Sequence, residues 1–525
     1  MRRKLLTGLT VGGVLLLPLV STVASAANPP APGPITLDRV VPAPAVVVPS
    51  DAAPFELTAT TVITATEAAR PVAERLAATL RPATGFSLPV RSAGVTTVDL
   101  RLNPVADPWF GDEGYQLEID TTGVALRANR PAGLFAGLQT LRQLLPPAIE
   151  AISVRHEHWT IPAGVIRDRP RYAYRGAMLD LARHFHPPAD VKRYIDEISR
   201  LKINYLHLHL ADDQGWRIEI DSWPLLTAVG GGPGTGVRGI GGGYLTQPEY
   251  RDLVRYAADR YVTIVPEIDM PGHVNAAQVA YPELTCAGVA PRQRIDIRVG
   301  YSSLCTSKEI TYRFAEDVIR QLAALTPGRY LHIGGDEAMS TPHADYVAFE
   351  QRILPLVAKY GKTAYGWHEI AAAPAATGAV IQYWAVTRDR PEIASAAAAG
   401  AKVILSPADR AYLDMQYDLL TPGGLHWAGT IEVRTAYDWD PGGWAHGVPA
   451  GAVLGVEAPL WSETLRDYGD VEFQAFPRLA AIAELGWSPW ATHDWLAFRD
   501  RLGAYGERWT RRGVHFHRSS EVRWS

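Results

Sequence analysis

Residues 330–337 read Tyr330-Leu331-His332-Ile333-Gly334-Gly335-Asp336-Glu337. Tyr330–Ile333 has the length and composition of a short buried strand. In a regular strand, Asp336 and Glu337 would point to opposite faces. Gly334-Gly335 allows the strand to break there, so both carboxylates can face one ligand. The same arrangement, a strand-like run followed at once by polar side chains, recurs along the chain. Arg175–Asp180, Tyr205–Leu210, Thr263–Ile268, Thr363–Trp367, Val380–Trp384, Lys402–Ser406 and Val453–Val456 read as further strands. Helical periodicity places amphipathic helices between several of them, at Pro188–Leu201, Gln247–Arg260, Ser307–Leu325 and Asp345–Lys359. Eight strands with helical crossovers over roughly 350 residues fit an α/β fold of the TIM (β/α)8 barrel type. An open doubly wound sheet is the competing reading. It would carry a glycine-rich phosphate fingerprint after a strand, and Gly230–Gly243 lacks that context.

Upstream of the barrel the rhythm differs. Tyr115–Asp120 alternates apolar with polar residues and is followed by Gly123–Ala128, a hairpin pattern. With strands at Ala45–Val48 and Val98–Leu102 and helices at Glu67–Leu80 and Ala132–Leu145, this reads as a small α+β domain. The expected organisation is a leader at 1–27, a non-catalytic α+β domain at 28–170 and a catalytic barrel at 171–525. The leader reads from Arg2-Arg3-Lys4, the apolar run Leu5–Val20 and Ala24-Ser25-Ala26, the pattern of a cleaved signal peptide. Secretion into the extracellular space follows as an expectation, with no membrane association once the leader is removed. Cys286 and Cys305 are the only cysteines, and in an exported protein one disulfide is the natural pairing.

Composition narrows the function. With 51 Lys and Arg against 55 Asp and Glu, the net charge is −4, and no long basic stripe appears, so nucleic acid is not an expected partner. No Cys/His cluster has zinc-ligand spacing, so neither a metal nor another cofactor is implied. What the strand ends do collect is acids, histidines and indoles. Ala211–Arg217, Pro266–His273, Gly334–Glu337, Trp367-His368-Glu369, Tyr383-Trp384, Tyr412–Asp414 and Glu457–Glu463 all follow predicted strands. Barrel active sites sit at that end. Sugar rings stack their C–H faces on aromatics, and glycosidic bonds are cleaved by carboxyl groups acting as acid and base. Two adjacent carboxylates also raise one pKa of the pair, which suits a general acid.

His332-Ile333-Gly334-Gly335-Asp336-Glu337 resembles the signature of glycoside hydrolase family 20, the β-N-acetylhexosaminidases. Tyr174–Asp180 with Arg183-His184-Phe185, Asp212–Arg217, Pro266–His273, Gly366–Glu369 and Trp461-Ser462-Glu463 resemble further family motifs, in the same order. Gly114-Tyr115, Gly133-Leu134-Phe135 and Gln139–Leu145 resemble its preceding domain. The resemblance implies exo-acting, retaining hydrolysis of terminal β-linked GlcNAc or GalNAc, with the substrate's own acetamido oxygen as nucleophile. It implies Glu337 as general acid and base, Asp336 orienting the acetamido group, and Tyr412 bonding its oxygen. Trp367, Trp384 and Trp461 would wall the acetamido methyl. Arg175, Asp414 and Glu463 would hold the distal hydroxyls, although a coarse strand reading puts Arg175 low in the barrel. Trp427 would stack on the leaving group, and His273 with Asp213 would support Glu337. Three rivals remain open at this point. One is an ordinary glycosidase with a protein nucleophile such as Asp269. The others are disaccharide release of the lacto-N-biosidase type and a glycan-binding barrel without activity.

Overall fold

The computed structural model describes residues 35–93 and 97–525, so the leader expected at 1–27 lies outside the described residues. Eight parallel strands close into a barrel: β1 (Tyr174–Asp180), β2 (Tyr205–His209), β3 (Thr263–Glu267), β4 (Tyr330–His332), β5 (Thr363–Trp367), β6 (Val380–Tyr383), β7 (Lys402–Leu405) and β8 (Val453–Ala458). β8 pairs back onto β1, with Arg175 opposite Val456. Each strand begins or ends within two residues of the position expected from its apolar run. The crossover helices start where their local chemistry dictates. Pro188 occupies the first turn of Pro188–Arg200, and Thr246 with Glu249 forms a capping box at Gln247–Ala258.

The preceding unit is a seven-stranded mixed sheet. Its centre is the hairpin Tyr115–Asp120 with Gly123–Ala128, flanked by Gly164–Asp168 and Val98–Leu102. Helices Arg70–Thr84 and Pro131–Leu144 bury their apolar faces on it, around Leu76, Leu117, Leu126 and Leu138. The fold is therefore a TIM (β/α)8 barrel preceded by a small α+β domain.

The junction between the two units is polar and buried. Lys202, from the turn before β2, is buried and places Nζ 3.0 Å from Asp168 of the sheet and 3.2 Å from the Tyr115 hydroxyl. Trp487, at the end of the helix Arg478–Trp487, packs in the sheet domain's core and donates its indole N–H to the same Asp168 at 2.9 Å. Glu150 of the sheet domain lies among four guanidinium groups. It contacts Arg142 directly, with Arg512 at 3.2 Å, Arg508 at 3.3 Å and Arg200 at 3.8 Å. Burial works against its charge, and those arginines outweigh it, holding the carboxyl well below its ordinary range. Breaking a buried cluster by removing one partner leaves uncompensated charge. Glu150→Ala is accordingly expected to cost about 3–5 kcal/mol of stability. Chemical unfolding should show it, and an unchanged denaturation midpoint would refute it.

Candidate active site

β4 stops at His332, and the next turns need backbone that only glycine supplies freely. Gly334 and Gly335 have φ of +70° and +98°, and a Cβ on Gly334 would lie 1.9 Å from Asp269 Oδ1. The Gly335 N–H donates to that same oxygen at 3.0 Å. Glu337 itself has φ +44°, and His273, after β3, has φ +53°. Both are non-glycine residues in the left-handed region, a costly conformation that clusters at functional sites. The two strained residues face each other, with His273 Nε2 3.4 Å from Glu337 Oε2 and 3.6 Å from Asp336 Oδ2.

A cavity of about 430 Å³ opens at this end of the barrel, within the range of small-molecule sites. Asp336, Glu337, Tyr412, Trp384 and Trp461 line it, with Arg183, Asp414 and Glu463 also in its wall. Trp427, half-exposed, forms part of the rim, and its ring meets Trp384 and Tyr412 edge-on at 6.1 and 5.8 Å. Trp367 is fully buried behind Trp461, ring centroids 5.6 Å apart, and donates its indole N–H to Glu267 at 2.8 Å. Ile297 and Val299 complete the mouth. They ride on the segment closed by the Cys286–Cys305 disulfide, which spans 19 positions. A second cavity of about 830 Å³ adjoins the first and shares Glu337, Trp384 and Trp427 with it.

Two placements differ from the reading of the sequence. Arg175 is the second residue of β1 and points into the domain junction, far from the cavity. It donates to Lys202 O at 2.9 Å and Tyr172 O at 2.8 Å, pairs with Glu113 and lies over Trp487. The guanidinium at the cavity belongs to Arg183, three residues beyond the strand's end. Its guanidinium reaches Asp212 at 2.7 Å and Asp180 at 3.4 Å and lies over Trp461 at 4.7 Å. Its position just past a barrel strand was the available signal. The second difference concerns His273. Its Nδ1 lies 3.1 Å from Asp212, while Asp213 stands off at 4.0 Å. Asp213 instead accepts from Ser302 Oγ at 2.5 Å and Asn275 N at 3.0 Å. Adjacent acids on a tight turn diverge, and sequence spacing does not say which one faces inward.

Burial dominates the electrostatics. It pushes Asp269 well above the usual carboxylate range, with the charge of Asp336 adding to it, which favours its protonated form. Burial raises Asp336 as well, against the opposing pull of His273 and of the Asp269 hydrogen bond. Asp269 does not line the cavity, whereas Asp336 does. At the far end, burial and Glu463 push Asp414 up. Glu463 is raised by burial, with Arg183 opposing. Burial and the nearby Asp414 raise Tyr412, which keeps its hydroxyl proton available for donation. Behind Trp384, Glu369 is pushed up to about 8 by burial and then by Asp336, and it accepts the Trp384 indole N–H at 3.1 Å. Sequence reading missed Asp212 and Arg183 as lining or supporting groups, and gave Glu369 no role.

Comparison with known proteins agrees with this geometry. The family model described as glycosyl hydrolase family 20, catalytic domain, matches residues 172–346 and 339–490, and that family's domain 2 matches residues 38–169. A β-N-acetylhexosaminidase from Cellulomonas fimi is 41% identical over 92% of this chain and 97% of its own length. A β-hexosaminidase from Akkermansia muciniphila is 34% identical over 75% of this chain and 83% of its own. Among solved structures, the family 20 β-N-acetylhexosaminidase of Streptomyces coelicolor A3(2) superposes with a TM-score of 0.91 at 52% identity, covering 94% of this chain and all of that one. A mutant Streptomyces plicatus β-hexosaminidase in complex with its product GlcNAc superposes equally well, with a TM-score of 0.91 at 54% identity over 95% of this chain and 99% of that one.

Proposed function

Because this chain belongs to glycosyl hydrolase family 20, and is a β-N-acetylhexosaminidase, we propose that it removes terminal non-reducing GlcNAc or GalNAc one residue at a time, with retention, through an oxazolinium intermediate. Glu337 protonates the leaving oxygen as the C1–O bond breaks. The substrate's acetamido oxygen closes on C1 from the opposite face, and Asp336 accepts the acetamido N–H and balances the positive charge that develops. Tyr412 donates to the acetamido oxygen. Trp384 and Trp461, backed by Trp367, hold the acetamido methyl bent toward C1. Held in line, such an intramolecular nucleophile gains a large effective molarity. Glu337, now a carboxylate, then takes the proton of the water that opens the oxazolinium ring.

The observation that carries this reading is which carboxyl groups reach the cavity. Asp336 and Glu337 line it together, and Asp414 and Glu463 lie in another part of its wall. Asp269, the candidate protein nucleophile, is buried behind Gly335, where its Oδ1 accepts the Gly335 N–H, and does not line the cavity. Arg183, Asp414 and Glu463 close the cavity over the distal hydroxyls, which supports exo action, and Trp427 at the rim offers a platform for the leaving group. The mutant relative from Streptomyces plicatus that holds GlcNAc supports the same sugar here. Chitooligosaccharides and glycoconjugate termini are the proposed substrates. The leader pattern and the disulfide support secretion. No helix among the described residues is long and apolar enough to cross a membrane.

The test pairs nitrophenyl N-acetyl-β-glucosaminide and N-acetyl-β-galactosaminide with plain β-glucoside. Both acetamido sugars should be cleaved, the glucoside should not, and proton NMR should show the β-anomer released first. Comparable cleavage of the glucoside would place a nucleophile on the protein. Initial release of the α-anomer would exclude retention.

A further inference from the structure

TIM barrels usually fill their interior with layers of branched apolar side chains. This one does so only at its base, where Tyr174, Val265, Tyr365, Val380 and Ile404 cluster. Above that layer the barrel axis carries alternating imidazoles and carboxylates, each at 0–3% exposure. The Tyr174 hydroxyl donates to Glu457 at 2.5 Å, and the other Glu457 oxygen lies 2.8 Å from His207 Nδ1. His207 Nε2 is 2.9 Å from Glu267 Oε2, and the same oxygen is 2.5 Å from His209 Nδ1. His209 Nε2 is 2.9 Å from Asp212 Oδ2, and Asp212 Oδ1 is 3.1 Å from His273 Nδ1. The chain ends where His273 meets Glu337 at 3.4 Å and Asp336 at 3.6 Å. Every histidine in it has a carboxylate oxygen within 3.6 Å of each ring nitrogen.

Isolated charges could not be buried at this depth, but alternating ones can. Burial disfavours charge on His207 and His209. Glu457 and Glu267 overcome it for the first, and Glu267, Asp212 and Asp180 for the second, pushing them up to about 9 and about 10. His273 is raised by Asp212, Asp336 and Asp269 against its burial. His332, which also touches Glu267 at 3.0 Å, is lowered by burial and stays neutral. Glu267 and Asp212 are held well below the usual range, by the histidines for Glu267 and by Arg183 first for Asp212. Three imidazolium groups thus stand against three carboxylates, and the last cation faces the catalytic pair.

We propose that Glu267 and His209, which lie out of reach of substrate, are positioning residues for the acid/base step: acting through Asp212, they keep His273 oriented and cationic opposite Glu337. This rests on the role proposed above for Glu337. When Glu337 gives its proton to the leaving oxygen, it becomes an anion beside His273. It loses that charge again when it takes a proton from water. The cation stabilises the anionic stage of both steps, and no proton needs to travel along the chain. Asp336 faces Glu337 on the same side, Asp213 lies beside His273, and Glu369 sits behind Trp384, so these acids set the field the cation opposes.

The test compares Glu267→Gln and His209→Gln with wild type on two leaving groups. One is 2,4-dinitrophenol, which departs without acid help, and the other is methylumbelliferone, which needs it. Losing the cation should reshape the pH profile of kcat/KM, which a purely structural role would leave unmoved. The turnover loss should be greater for methylumbelliferone than for dinitrophenol. Equal losses on both substrates with an unchanged pH profile would reduce the chain to scaffolding, provided Glu337→Gln still discriminates between the leaving groups. Should Glu337→Gln fail to discriminate, the acid role itself falls. If both chain variants unfold, 15N-histidine NMR of the wild-type enzyme decides. An imidazolium at His273 above pH 8 supports the proposal, and a neutral ring at pH 7 overturns it.

Discussion

Replacing Glu337 with glutamine is expected to lower kcat on an unactivated N-acetylhexosaminide by on the order of 10²–10⁴-fold, with KM little changed. Glutamine matches glutamate in shape, so the cavity wall, the contact to His273 and the strained turn after Gly335 should persist. What disappears is the proton given to the leaving oxygen and later recovered from water. Glu337 is a quarter exposed and lines both cavities, which puts it within reach of the scissile bond and of the attacking water. Steady-state kinetics on the methylumbelliferyl glycoside measure the effect. Near-normal kcat would remove Glu337 from the acid/base role.

Replacing Asp336 with asparagine is expected to cost a similar factor, on the order of 10²–10⁴-fold, for a different reason. The substitution again conserves shape, but asparagine carries no negative charge and offers one acceptor oxygen. The acetamido group would lose the partner that orients its N–H, and the forming oxazolinium ring would lose its counter-charge. Asp269 would also lose the anion that helps keep it protonated. The impairment should extend to activated leaving groups, because attack by the acetamido oxygen on C1 is required whether or not the departing oxygen needs a proton. This separates the variant from Glu337→Gln, whose loss should shrink as the leaving group improves. An Asp336→Asn enzyme with wild-type turnover on either substrate would exclude participation of the acetamido group.

The barrel was legible because each strand is an apolar run ending at a polar cluster, and that junction is what a barrel's catalytic rim requires. The left-handed turn at Gly334-Gly335 could also be read, since glycine pairs mark breaks. Arg175 was brought to the site by the resemblance alone, against a strand reading that had put it low in the barrel, where the structure has it. A residue at the start of a strand lies at the opposite end from the cavity, whatever motif surrounds it, and the loop residue Arg183 takes the position by the wall. Asp212 and Asp213 could not be told apart, because a two-residue turn sends neighbours in directions that the backbone alone decides. The axial chain left a trace in Tyr205-Leu206-His207-Leu208-His209, where alternate residues share one face. Nothing in that trace said that the face was a barrel interior holding Glu267 and Glu457 from distant strands.

The setting of Glu150 bears on the order in which the chain can mature. Its neighbours Arg508 and Arg512 lie on the helix Trp495–Arg512, and the Arg508 contact spans 358 positions. Trp487, which fills the core of the first domain, is likewise made late. Domains generally fold as units during synthesis, N-terminal first. Here the first unit to emerge would have to wait with an excluded indole and a half-neutralised charge cluster until the last helix arrives. The first domain's core and charge cluster therefore become complete only after the last helix has been made, and a nascent chain before that point leaves both open to handling by chaperones and proteases.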